Sequence, residues 1–468
     1  MSNQETVLNT EGSEAKLNYL KTRSDTEITK FISSEDSKFK IISPSECTWV
    51  DKNNEFTEKE LRSRIEPWLT SLFQSEHLSL LAGSGLTLAV NDIAGVSAAG
   101  MGKAKFKTFA NKIDSAALES ANRAGRKDGN FEDQLRVANE VLRALEIFNS
   151  IHAKDLQGEI TAIMKAFAKD ILLTEKSLAE AEDREEAFQI LVNFLMSFAS
   201  RLGTRDRLNI FTTNYDRLIE AGAEIAGLHL LDRFVGNLLP FFRSSRLDID
   251  MHYNPPGIRG EPRYLEGVAR FSKLHGSVDW LQSNQDIRRI GLPFGAENIE
   301  NYLKAPGLNE ITAHQLMIYP NAAKDRETAF YPYVELFRDF AAAVCRPNST
   351  LVTYGYSFGD EHINRIIEDM LTIPSTHLVI ISFDDRLGRV METYEKLGRP
   401  SQITLLVGDH LGNLKTLTEN YLPKAAIDKA TFRMSELLSK RFGADNDGNK
   451  PKDKGNPDGN SSTAGGIV

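Results

Sequence analysis

Cysteine is nearly absent. Cys47 and Cys345 are the only two in 468 residues, so neither a disulfide framework nor a four-cysteine zinc site can be built. Long basic runs are absent too. With 56 Lys and Arg against 65 Asp and Glu the formal charge is −9, which argues against autonomous, sequence-independent binding to nucleic acid. No stretch approaches the ~18 apolar residues of a membrane span. The first residues, MSNQETVLNTEGSEAK, lack the basic-then-apolar build of a secretory leader. No acidic cluster has metal-binding spacing, and no Gly-Lys-Ser/Thr follows the Gly-rich turn at 83–85, which excludes a Walker loop. What remains is ordinary globular composition, 41% apolar and 26% charged. The expectation is a soluble, cytoplasmic protein that carries no metal.

The chain changes character along its length. Residues 1–55 are polar and mixed, offer at most one short strand, and read as an arm or interaction segment. Thr57 and Glu60 form a capping-box pattern ahead of an apolar stripe at Ile65, Leu69 and Leu72. HLSLLAGSGLTLAV (77–90) reads as strand, Gly-rich turn and helix start. From 96 to 205 the pattern is helical: Leu135, Ala138, Leu142 and Leu145 recur at helical spacing, as do Phe188, Leu191, Leu195 and Phe198. Such stripes face a core.

After 205 strands alternate with helices. Strands are expected at 208–213, 270–275, 315–319, 350–355, 377–383 and 402–407, and helices at 216–226, 331–345, 361–371, 386–397 and 412–421. That rhythm predicts an α/β fold: a Rossmann-like parallel sheet of about six strands covered by helices. The sheet domain takes residues 56–95 and 206–422, and a mainly helical insertion takes 96–205. A C-terminal helix is expected at 423–442, and a Gly/Asn/Asp/Lys-rich tail at 443–468 that has little to bury.

In an open α/β sheet ligands bind beyond the carboxyl ends of the strands, and four such ends carry unusual residues. Gly83, Ser84, Gly85 and Thr87 open a helix, where small residues let amides approach a diphosphate; strand–Gly–helix turns also occur for packing alone. Asn214 and Asp216 follow the strand in NIFTTNYD, where they suit either a site or the cap and dipole of the next helix. His275-Gly276 ends another strand, as a structural histidine or as an acid/base group that contacts a ribose. Gly355, Ser357 and Asp360 lie in GYSFGDEHIN, as a turn with an ordinary N-cap or as a second contact to nucleotide phosphates and ribose.

Taken in order, GSGLT (83–87), TTNYD (212–216), LHG (274–276) and GYSFGDEHIN (355–364) resemble the sirtuin-type NAD-binding fold, and more closely the SIR2-like domains of bacterial antiphage systems. The resemblance covers about residues 77–420. The Gly-Ala-Gly-x-Ser loop of sirtuins corresponds to Gly83–Thr87, Thr-Gln-Asn-Ile-Asp to Thr212–Asp216, His-Gly to His275-Gly276, and Gly-Thr-Ser to Gly355–Ser357. The chain departs from deacylases in three respects: it cannot build the zinc ribbon, LAVNDIAG (88–95) replaces Pro-Asp-Phe-Arg, and the acyl-peptide-binding Phe-Gly-Glu has no counterpart.

The resemblance implies NAD+ as substrate, water as acceptor, and no metal. In its terms Asn214, His275 and Asp216 are the catalytic set: Asn214 hydrogen-bonds the water or the nicotinamide side, His275 orients the ribose hydroxyls and accepts a proton, and Asp216 supports the loop. Gly83, Ser84, Gly85, Thr87, Gly355, Ser357 and Asp360 contact the diphosphate and adjoining ribose, and Asp384 the adenosine ribose. It also implies a ring-like homo-oligomer and a hexameric HerA-type ATPase partner. A nucleotide-binding regulatory subunit without turnover, an ADP-ribosyltransferase and a deacylase are the alternatives.

Overall fold

All but one of the parallel strands read from the sequence sit at the centre of an eleven-stranded sheet. In the computed structural model, residues 16–424 are described except 23–24, 35–37, 45–46, 48, 51–53, 99–101, 124–127, 202–204, 245–250, 254–262, 265–266, 284–285, 300, 305–315, 319–331 and 386. The sheet strands are β1 (Asn18–Lys21), β2 (Thr29–Ser33), β3 (Lys38–Ser43), β4 (Glu55–Thr57), β5 (His77–Ala82), β6 (Asn209–Thr212), β7 (His229–Leu231), β12 (Val268–Lys273), β16 (Ser349–Tyr354), β17 (His377–Ser382) and β18 (Ile403–Val407). Their order is β4-β3-β2-β1-β18-β17-β16-β5-β6-β12-β7.

From β18 to β7 every pairing is parallel. β5 and β16 are buried along their whole length, because helices cover both faces. Alternate residues feed two cores. Leu80, Val352, Val379 and Ile381 join one, with helix α1 (Glu58–Phe73), α2 (Ser84–Ile93), α6 (Arg184–Ala199) and α7 (Leu218–Ile225). Leu81, Leu351, Leu378 and Ile380 join the other, with α8 (Tyr333–Val344), α9 (Glu361–Leu371) and α10 (Arg389–Leu397). The α/β class and helix-covered parallel sheet are as read from the sequence. The Thr57–Glu60 capping box is present in both directions, and Gly398, at φ +57°, ends α10 as expected.

Three features differ from the sequence reading. Residues 18–43 are not an arm: β1 pairs antiparallel with β18, and β2, β3 and β4 follow antiparallel, extending the sheet. The sheet therefore has eleven strands instead of about six. The strand expected at 315–319 lies, as β15 (Leu316–Ile318), in a separate five-stranded antiparallel sheet. Its neighbours there are β13 (Gly276–Ser283), β14 (Asp286–Arg289), β9 (Phe241–Phe242) and β8 (Phe234–Val235). β10 (His252–Tyr253) and β11 (Arg263–Tyr264) pair apart.

Helices take up most of the described residues of 96–205, but they do not pack as one body. The last of them, α6, belongs to the main core. α3 (Ala110–Arg123), α4 (Phe131–Ile147) and α5 (Ala153–Glu180) share a third core with Tyr215, Val278, Leu281, Ile290 and Leu292. Met1–Pro423 forms one compact unit and Lys424–Val468 another; the helix expected at 423–442 and the tail 443–468 fall outside the described residues beyond Lys424. Among the described residues no helix is long and apolar enough to cross a membrane.

Candidate functional site

The chain order of the strands locates the site. β5, β6 and β12 succeed one another outward on one side, while β16, β17 and β18 do so on the other, so the winding reverses between β5 and β16. Ligands of open α/β sheets sit beyond the carboxyl ends at such a switch point. Register puts Ala82, Thr212, Lys273, Tyr354 and Ile381 in one row there. The residues that follow them are the ones with motif character.

The first loop and the β16 loop interlock through glycines. Gly83 N–H donates to Tyr354 O at 2.9 Å, and Gly85 N–H to Gly355 O at 3.0 Å. A Cβ on Gly83 would stand 2.4 Å from Gly355 O, and one on Gly85 2.5 Å from Gly355 Cα. Gly355 itself is at φ +60°, a conformation that favours glycine. The three glycines are therefore required by backbone-on-backbone packing. Ser84 is exposed at the start of α2.

Asn214 is fixed by this loop. Its Nδ2 donates to Gly83 O at 2.9 Å and to Thr87 Oγ1 at 3.0 Å. A carbonyl oxygen can only accept, so the amide must face it with nitrogen. Asn214 Oδ1 takes no hydrogen bond among the described residues, which leaves one oriented acceptor in a partly exposed side chain. Thr87 Oγ1 in turn donates to Asp216 Oδ2 at 2.7 Å, and Leu218 N–H to Asp216 Oδ1 at 3.1 Å. Both oxygens of Asp216 hold structure, one at the start of α7 and one through Thr87. Asn214 does not cap α7; its N–H donates to Thr212 Oγ1 at 3.0 Å.

A second pair forms beyond the carboxyl ends of β12 and β16. His275 Nε2 lies 2.9 Å from Asp360 Oδ2. The other carboxylate oxygen, Oδ1, accepts from His362 N–H at 2.9 Å and Ile363 N–H at 3.3 Å, as the N-cap of α9. A neutral imidazole that donates Nε2–H to this carboxylate carries its lone pair on Nδ1, and Nδ1 takes no hydrogen bond among the described residues. The loop bearing Asp360 is internally braced. Tyr356 Oη donates to Asn364 Oδ1 at 3.0 Å, Asn364 Nδ2 donates to Phe358 O at 2.9 Å, and Phe358 is held at φ +52°. A non-glycine residue in that region costs about 1–3 kcal/mol, which the bracing offsets.

The residues expected at the site thus fall into groups. Gly83, Gly85, Thr87, Asn214, Asp216 and Gly355 form one contiguous network, and His275 with Asp360 forms a dyad. Ser357 is exposed on the Asp360 loop. Asp384 is exposed at the end of β17, where its carbonyl accepts Ser382 Oγ at 2.7 Å.

Several contributors escaped the sequence reading. A Cβ on Gly359 would meet Arg389 Nη1 at 2.9 Å and Ser357 Oγ at 3.6 Å, so a guanidinium lies beside the exposed serine. Buried Lys273 donates to Asp216 O and, at 2.9 Å, to Glu220 Oε1. Burial pushes the Glu220 carboxyl up to about 7 against the pull of Lys273. Tyr215 and Arg217 reach buried carboxylates on α4 and α5. An Arg at a helix start and a Lys in the last residue of a strand have sequence signals; the two helix carboxylates have none. Among the described residues no three His, Cys, Asp or Glu side chains are grouped to hold a metal.

Residues 208–398 match the family described as SIR2-like domain. The match contains Asn214, Asp216, His275, Gly355, Ser357, Asp360 and Asp384 and begins after the 83–87 loop. No curated protein matches the chain. A SIR2-like domain suggests an NAD-related activity.

Proposed function

We propose that the chain is an NAD+ glycohydrolase, cleaving the nicotinamide–ribose bond to give nicotinamide and ADP-ribose. The observation that supports the reading is that Asn214 Oδ1 and His275 Nδ1, which take no hydrogen bond among the described residues, follow the adjacent strands β6 and β12 within the segment that matches the SIR2-like domain. As the bond from the anomeric carbon to the pyridinium nitrogen breaks, its electron pair leaves with nicotinamide, which departs neutral. The ribose gains oxocarbenium character, and water adds at that carbon. Asn214 Oδ1 accepts a hydrogen bond from the water or from a ribose hydroxyl, and its fixed orientation needs no rearrangement during reaction. His275 Nδ1 orients a ribose hydroxyl or takes the water's proton, and Asp360 stabilises the imidazolium that forms. Arg389 and Ser357 suit the diphosphate, and the exposed Asp384 suits the adenosine ribose.

Depletion of NAD+ in antiphage defence, a ring-like homo-oligomer and a hexameric HerA-type ATPase partner belong to this proposal and rest on the resemblance. The exposed Ile147, Phe148 and Ile151 at the α4–α5 turn, 62%, 82% and 84% accessible, support a partner contact there.

Chromatography of NAD+ incubated with the chain tests the reaction. Nicotinamide and ADP-ribose in equal amounts support hydrolysis. ADP-ribose attached to protein would make the chain a transferase, and NAD+ bound but returned intact would make it a nucleotide-binding subunit.

A further inference from the structure

The 212–217 segment faces two ways. Asn214 and Asp216 point to the first loop, through Gly83 and Thr87. The alternate residues, Tyr215 and Arg217, point to the helices inserted between β5 and β6. Tyr215 Oη donates to Glu132 Oε1 on α4 at 3.2 Å, and its ring meets Phe167 of α5 edge-on at 5.8 Å. Arg217 N–H and Nε donate to Glu175 Oε1 on α5 at 2.8 and 3.2 Å, and Nη2 donates to Oε2. All four side chains are nearly fully buried: Glu132 is 9% exposed, Glu175 2%, Tyr215 6% and Arg217 6%.

The chemistry of these contacts is selective. Apolar packing tolerates sliding, whereas a buried carboxylate costs several kcal/mol of desolvation, recovered only in one geometry. Burial raises the Glu175 carboxyl above its ordinary value against the pull of Arg217. Burial also raises the Tyr215 phenol well above its ordinary value, and Glu132 adds to this, so the phenol stays a donor. Glu132 stands in the first turn of α4, where the helix dipole favours an anion. Glu175 lies in the last two turns of α5, where the dipole opposes it; Arg217 is what makes its burial tolerable. The Tyr215 backbone carbonyl, for its part, accepts from Val278 N–H at 3.0 Å and Ser277 Oγ at 3.3 Å, just after His275.

We propose that Glu132 and Glu175 are positioning residues, holding the 212–217 loop through Tyr215 and Arg217 so that the seating of α4 and α5 sets the reactive geometry of Asn214. The site is then competent only while this helical layer is docked, and a shift of either helix is transmitted along the 212–217 loop to Asn214. The kinetic consequence rests on the glycohydrolase reading; the mechanical coupling does not.

The test uses the full chain with Tyr215→Phe, Glu132→Leu, their double variant, and Glu132→Gln, which keeps an acceptor. Two quantities are read: kcat and KM for nicotinamide release, and amide hydrogen exchange across the chain. Each of the first two variants is expected to lower kcat about tenfold with KM within about twofold, the double variant no further, and Glu132→Gln to recover most of the loss. Exchange at 212–217 should quicken while β5 and β16 keep their protection. Additive losses, a change confined to KM, unchanged loop exchange, or exchange quickened throughout the sheet would overturn the proposal. If the parent chain releases no nicotinamide, the glycohydrolase reading fails, and the exchange result alone decides the coupling.

Discussion

His275 Nε2 and Asp360 Oδ2 meet at 2.9 Å across the ends of β12 and β16, and the same carboxylate caps α9. One side chain therefore serves two purposes, and a substitution can separate them. Asp360→Asn keeps an N-cap acceptor but replaces the carboxylate that fixes the His275 tautomer. Its stability should stay within about 1 kcal/mol of the parent, while kcat for nicotinamide release falls by about 10²-fold or more. Denaturant titration and steady-state kinetics on one preparation check both. A variant that unfolds readily but turns over normally would assign Asp360 to the helix alone.

The glycine interlock makes a prediction independent of any activity. Gly355→Ala places a methyl group 2.5 Å from Gly85 Cα at a backbone angle of φ +60°, so both sterics and conformation oppose it. A loss of about 2 kcal/mol or more is expected from the denaturation midpoint. Gly388→Ala is the control, at φ +68° with nothing within 4 Å of its Cβ; it should lose only the conformational part, about 1 kcal/mol. Equal losses at the two sites would show that the loops can part.

One buried and one half-buried histidine, His377 and His410, predict acid sensitivity. Burial, with Lys21 adding to it, pulls His377 down to about 4, and burial against the pull of Asp409 does the same to His410. His377 Nε2 shares a hydrogen bond with Thr404 Oγ1 at 2.8 Å, and His410 Nε2 one with Tyr421 Oη at 2.6 Å. A depressed folded value means that the fold holds the neutral ring. The associated stability is fully present above the unfolded value, about 6.5, and is lost as pH falls toward about 4. The slope is at most about 1.4 kcal/mol per pH unit for each ring. Thermal midpoints across that window should fall with acidification, and less steeply in His377→Gln. A His377→Gln chain as acid-sensitive as the parent would remove that ring from the account.

The buried Arg217–Glu175 pair predicts an asymmetry. Glu175→Ala strands a buried guanidinium and should cost about 3–5 kcal/mol. Joint replacement of Arg217 and Glu175 by Met and Leu should cost less than either single change, because no charge is left unpaired. Denaturation of Arg217→Met, Glu175→Leu and the double variant provides the double-mutant cycle; strict additivity would mean that the pair does not interact.

How much of this was legible in the sequence depends on how far apart the partners lie. Apolar runs such as HLSLLA and STLVTY announce strands buried on both faces, and the Thr57–Glu60 box announces its helix. β1, by contrast, is four residues long and pairs with β18, nearly the whole chain away, so neither length nor local pattern reveals it. KFKIIS does alternate, with Phe39 and Ile41 buried, but a run that short and polar reads equally well as coil. The motif residues stand out because asparagine, histidine and glycine are unusual at strand ends. Glu132 and Glu175 do not: on an amphipathic helix a glutamate reads as solvent-facing, and only the tertiary structure shows what covers it. The glycines gave a mixed signal. Their need was real, but the structure attributes it to Gly355.

In the proposed reaction Asn214, fixed by Gly83 and Thr87, takes part in breaking the nicotinamide–ribose bond. The direct measurement is the rate of nicotinamide release from NAD+ by the purified chain beside Asn214→Ala, with NAD+ affinity measured for both. Release by the parent is expected, with a loss of about 10²–10³-fold in the variant and affinity held within about threefold. Release that survives in Asn214→Ala, or NAD+ bound by the parent without any release, would contradict this role.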